Sequence, residues 1–158
     1  MTSAPIAQQR LLIDLQDLDS HLARLRHERK HLPVLTRIEA VIERLKANKR
    51  AVIRAEAALD EAKKQATRSE DEVGQVARRA EVLRERLHSG SSAARDLSAI
   101  QGEIDQLGQR QSALEEAQIV AMEALDSARQ EAERLSQEES EIRAAGRELT
   151  AKRDAEFA

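Results

Sequence analysis

The chain has no cysteine, tryptophan or tyrosine, and Phe157 is its only aromatic residue. Without cysteine, these 158 residues hold neither a disulfide framework nor a thiolate-bound zinc. Without large rings, the side chains that usually fill a compact core are missing. Proline occurs only at Pro5 and Pro33, so little interrupts a regular backbone. No apolar run approaches the roughly 18 residues that cross a bilayer, and the N-terminus lacks a signal-peptide core. No membrane partner is expected, and the cytoplasm is the expected location.

What is present is charge and regularity. Charged residues make up 35% of the chain, and Ala, Glu, Arg, Leu and Gln dominate, the profile of a long helix or coiled coil. High charge with few aromatics also suits disorder, but disorder goes with a lack of apolar periodicity. Here the periodicity is strong. Alternating steps of three and four from Leu97 to Leu149 visit sixteen positions, twelve of them Leu, Ile or Ala, and the register never slips. In the first half, Leu11, Leu15, Leu18, Leu22 and Leu25 form one seam. Pro33 interrupts it; Ile38, Ile42, Leu45, Val52 and Leu59 resume it, and Ala62, Ala66, Val73, Val76, Ala80, Leu83 and Leu87 carry it on.

Between the two patterns lies "HSGSSA", residues 88–93, with three serines, a glycine and no large apolar side chain. Gly90 can end one helix and a serine can cap the next. A connection this short makes the helices antiparallel neighbours. The expected fold is all-α: a long antiparallel two-helix coiled-coil hairpin, kinked near Pro33. Residues 1–158 form one domain, with helix A over about 5–87, the tip at 88–93 and helix B over about 94–156. A helix A of about 80 residues predicts a rod roughly 120 Å long.

Placing Leu87 opposite Leu97 makes partner numbers add to about 184 along an antiparallel seam. The net charge of −3 then acquires a pattern, because residues 1–90 carry 18 Lys+Arg against 14 Asp+Glu and residues 91–158 carry 8 against 15. Residues 44–54, which contain no acid, face the glutamate-rich stretch 130–140, and this charge matching is expected to set register and orientation. The same pairing leaves residues 6–25 without a partner in the chain. Either the second helix continues in a longer parent protein, or Leu11, Leu15, Leu18, Leu22 and Leu25 form a dimer seam.

Chemistry finds little purchase. Glu115–Glu116 and Glu138–Glu139 lie on a helix surface with no pocket to shift their protonation. Ser89, Ser91 and Ser92 have only His88 beside them. His27 and His31 have the i, i+4 spacing of a metal pair, but the nearby acid, Glu28, faces elsewhere. No catalytic, cofactor-binding or metal-ligating residue is expected. Arg24, Arg26, Arg29 and Lys30, in the basic stretch 24–31, are candidate nucleic-acid contacts, although the lack of aromatics argues against base stacking.

"LLIDLQDLD", Pro33 after a basic stretch, and above all "HSGSSAARDLSAIQGEIDQL" resemble bacterial C4-type zinc-ribbon proteins. The resemblance covers essentially the whole chain and is densest at Ser89, Gly90, Arg95, Asp96, Leu97, Gln101, Glu103, Ile104 and Leu107. It implies an N-terminal coiled-coil hairpin followed by a ribbon holding zinc on four cysteines. None of those cysteines is here, so zinc is assigned to no residue and the chain is expected to lack the ribbon. The resemblance further implies a bacterial adaptor or chaperone-like protein that binds proteins and, in some members, nucleic acid. The expected function is a non-enzymatic interaction module, with Ser89, Gly90, Ser91, Ser92 and Arg95 as a candidate partner-binding tip. The alternative is an RNA-binding helical arm using the stretch 24–31.

Overall fold

The structure is a computed structural model and describes residues 5–90 and 93–158. It contains three helices, α1 (Ile6–Lys30), α2 (Pro33–His88) and α3 (Ala94–Phe157), and no strand among the described residues. The fold is an all-α, antiparallel two-helix coiled-coil hairpin, kinked near Pro33. The kink follows from proline chemistry. Pro33 sits at the first position of α2, where its missing N–H costs nothing, and it steers Leu32 out of the helical region. On the other side, the His31 N–H closes α1 by bonding to the carbonyls of His27 and Glu28.

At the far end of α2, Gly90 takes a φ of +69°, in the left-handed region that glycine enters without a Cβ penalty. The Ser89 N–H donates to the Glu85 carbonyl at 3.0 Å, and its hydroxyl to the Arg86 carbonyl at 2.8 Å. Helix α3 restarts with the Leu97 N–H on the Ala93 carbonyl at 3.0 Å, and Asp96 in its first turn complements the helix dipole.

The chain parts into two compact units, residues 1–48 with 139–158 and residues 49–138. In the second, Leu83 is 1% exposed and packs with Ile100 and Ile104, flanked by Leu87 and Leu107. Arg79 crosses to Glu103 at 3.2 Å, in register with that core. In the first unit Ile142 is 1% exposed, and Val41 Cγ1 lies 3.4 Å from where a Cβ on Gly146 would stand. These facing residues lie within a few positions of the expected pairing.

All sixteen seam positions of α3 are buried or half-buried. On α2 the seam runs without a slip from Val34 to Leu87, but through some residues the apolar pattern does not mark. Ile42 is 46% exposed, and its neighbour Val41 takes the inward position instead. Asn48, Ala55 and Ser69 are buried seam members too. The expected charge matching between helices is realised differently from the sequence reading. Glu131 and Glu138 both accept from Arg134, and Glu139 from Arg143, all along α3 itself. The Arg134 hydrogen bond holds the Glu131 carboxyl below its ordinary pKa. A flexible acid finds an i±3 or i±4 cation on its own helix more readily than one across a seam.

Glycines on this frame give a paired prediction. Gly108 lies inside α3 with open space around its missing Cβ, so Gly108→Ala should raise stability by about 1 kcal/mol through helix propensity alone. Gly90 has the same open space but the left-handed φ, so Gly90→Ala should lower stability by about 1 kcal/mol. Urea unfolding followed by circular dichroism reads both signs.

Candidate functional site

Helix α1 is the unusual element. All 25 of its residues are exposed, including every seam leucine. Leu11, Leu15 and Leu18 are 62%, 57% and 58% exposed, falling to 47% at Leu22 and 46% at Leu25. The fall has a local cause: Leu22, Leu25 and Leu32 border a depression of about 320 Å³ that Glu156, Phe157 and Ala158 close from the end of α3. Leu12 flanks this seam, whereas Ile6 and Ile13 are exposed on the opposite side of the helix. An exposed apolar seam of this kind is the usual mark of an interaction site.

The basic stretch resolves into two parts. Arg24 turns back along α1, its Nη2 2.9 Å from His21 Nδ1. Arg26, Arg29 and Lys30 instead line a second depression of about 460 Å³, together with Leu35, Arg153 and Phe157. The Arg29 guanidinium lies over the Phe157 ring, 4.4 Å from its centroid, in a cation–π contact. Arg153 and Phe157 belong to this site although they come from the other end of the chain. The antiparallel pairing read from the seam brings both of them to the stretch 24–31.

His27 and His31 stack with ring centroids 4.1 Å apart, and His31 Nδ1 lies 2.8 Å from the His27 carbonyl, which a protonated Nδ1 would occupy as donor. That arrangement finishes a helix end rather than aiming two lone pairs at one ion. Among the described residues no group of three or more His, Cys, Asp or Glu could hold a metal. Equally, no helix among them is long and apolar enough to cross a membrane. At the tip, Ser89 and Gly90 are occupied with ending α2, and Arg95 is exposed on the first turn of α3. Ser91 and Ser92 lie outside the described residues.

Two antiparallel helical stretches sharing an unbroken three-and-four seam define a coiled-coil hairpin domain. The chain belongs to the family of the CT398-like coiled coil hairpin domain, whose profile matches residues 15–158. It is 37% identical over 122 residues to uncharacterized proteins from two strains of Mycobacterium tuberculosis, across 76% of this chain and 49% of theirs. A solved structure from Mycobacterium smegmatis superposes with a TM-score of 0.79 at 27% identity, covering 98% of this chain and 64% of that one. The chain thus spans about half the length of the curated relatives it matches.

Proposed function

We propose that this hairpin is a non-enzymatic interaction module, an adaptor or chaperone-like scaffold of the cytoplasm, that engages protein helices through the leucine face of α1. One observation carries the reading: five seam leucines at heptad spacing, 46–62% exposed, on a helix with no buried residue. Such a face is matched by an amphipathic helix supplying the other half of the seam. The zinc-ribbon part of the resemblance has no residue in this cysteine-free chain.

A second copy of the same face supplies that half, so the hairpin should form an isologous homodimer through residues 6–25. Half-burying five leucines on each chain contributes roughly 5–10 kcal/mol in total, offset by an association cost of about 4–15 kcal/mol, so the dimer should be weak, at best in the range of tens of micromolar.

Light scattering from about 1 to 200 μM, a window set around that affinity, should show mass doubling with concentration. Leu15→Glu with Leu22→Glu should hold the protein monomeric. A wild type that stays monomeric throughout would sink the homodimer. A dimer indifferent to the two substitutions would move the interface away from α1.

A further inference from the structure

We propose that two copies of α1 pair antiparallel about a centre between Leu15 and Leu18, and that acid tightens the dimer because His21 of each chain meets the partner's Asp14. The inference rests on the leucine-face reading above and adds to it a direction, a register and a pH response. Alternating steps of four and three from Leu11 to Leu25 fix what flanks the seam. Leu12, Asp19 and Arg26 each follow a seam leucine and share one flank. Asp14, His21 and Glu28 each precede the next seam position and share the other. All six are exposed, so a partner helix on the seam touches both flanks.

Parallel helices bring opposite flanks together, which sets Asp14 beside the partner's Asp19 and His21 beside the partner's Arg26. Neither contact attracts. Antiparallel helices bring like flanks together, and two such registers stack leucine on leucine. One pairs Leu15 with the partner's Leu25 and Leu18 with the partner's Leu22. It sets Asp19 against the partner's Asp19 and Asp14 against the partner's Glu28, and it runs the partner past Leu25, where Glu156, Phe157 and Ala158 already stand. The other pairs Leu11 with the partner's Leu22 and Leu15 with the partner's Leu18. There Asp19 meets the partner's Leu12 and His21 meets the partner's Asp14, so no like charges face each other across either flank. On its own helix His21 lies between Asp17 and Arg24, whose Nη2 is 2.9 Å from His21 Nδ1. The partner adds the partner's Asp14 and the partner's Asp17 against one cation, the partner's Arg10. Two carboxylates against one guanidinium make the protonated imidazole favour the dimer. Association therefore strengthens as pH falls through the ordinary histidine range, near about 6.5.

The test is light scattering of the full chain at about pH 5.8 and about pH 7.5, on either side of the imidazole midpoint. The dimer Kd should be roughly three- to tenfold lower at the acid pH, the effect of two exposed ion pairs related by symmetry. His21→Gln and Asp14→Asn should each remove most of that response, while His27→Gln with His31→Gln should keep it. All four positions are exposed, so the fold tolerates the changes. Direction is read separately, and the absence of native cysteine makes the reading clean. An equal mixture of Leu15→Cys and Leu18→Cys chains, oxidised at about 100 μM, should give the mixed disulfide well beyond its statistical half of the product. A protein monomeric at both pH values would overturn the leucine-face dimer and this inference with it. A dimer indifferent to pH, a response that His21→Gln retains, or an excess of Leu15→Cys homodisulfide would overturn this inference alone and leave the dimer standing.

Discussion

Leu83→Ala is expected to destabilise the protein by about 3 kcal/mol, read as a fall in the urea midpoint at unchanged slope. Leu83 is 1% exposed and stands among Ile100 and Ile104, with Leu87 and Leu107 packed around them. Truncation removes three carbons from a site whose walls are set by two continuous helices, so the cavity cannot collapse freely and the cost lies within the measured range for buried leucines. A coiled coil has no second layer of core to share the loss. The contrast is Leu18→Ala: Leu18 is 58% exposed, and in the dilute protein its truncation should cost no more than about 0.5 kcal/mol. If both leucines cost the same, α1 is covered even at low concentration, and the exposed face described above is not exposed in solution.

That contrast between two leucines of identical spacing shows how far the sequence could be read. Periodicity identifies which residues can share a seam, and on α3 it did so at every position from Leu97 to Leu149. It does not say whether a partner stands opposite, and Leu18 and Leu83 differ only in that. On α2 the reading went astray where apolarity and position disagree. Ile42 is larger than Val41 and drew the seam to itself, yet heptad geometry turns Val41 inward. Asn48 and Ser69 are polar and carry no apolar mark, although the three-and-four count runs straight through both.

The candidate sites were less legible than the fold, for a related reason. Residues 24–31 announce themselves by composition, but a site is defined by what the backbone brings to it. Arg153 and Phe157 reach Arg29 only because antiparallel pairing returns the end of α3 to the end of α1. Arg24, the first member of the sequence cluster, turns to His21 instead. Side-chain choices among near neighbours on one helix, such as Arg134 between Glu131 and Glu138, differ by a few tenths of a kcal/mol. Composition does not resolve differences that small.

Asn48→Leu should raise stability by about 1–2 kcal/mol while loosening the pairing of the helices. Asn48 is 4% exposed at a seam position where aliphatic residues are the rule. A buried amide contributes a net of about 1 kcal/mol even when fully hydrogen-bonded, and no hydrogen bond reaches the buried Asn48 Oδ1, whereas a buried leucine contributes about 2 or more, so the exchange favours leucine on energy alone. What the amide supplies is discrimination. In a seam repeating every seven residues, a shift of one helix by a heptad puts apolar residues opposite apolar residues again and costs little. It costs far more when it carries an asparagine to a layer built without a partner for it. Cysteines introduced as Val41→Cys and Gly146→Cys, at positions where Val41 Cγ1 stands 3.4 Å from the Cβ site of the glycine, report the native pairing by disulfide formation. With Asn48 present, crosslinking at this pair should be nearly complete. In the Asn48→Leu variant the urea midpoint should rise, and crosslinking should fall as shifted pairings become populated. A lower midpoint would show that the hydrogen bonding of Asn48 stabilises the fold outright, and unchanged crosslinking would show that the register is held by the Leu83 core and the Pro33 kink without it.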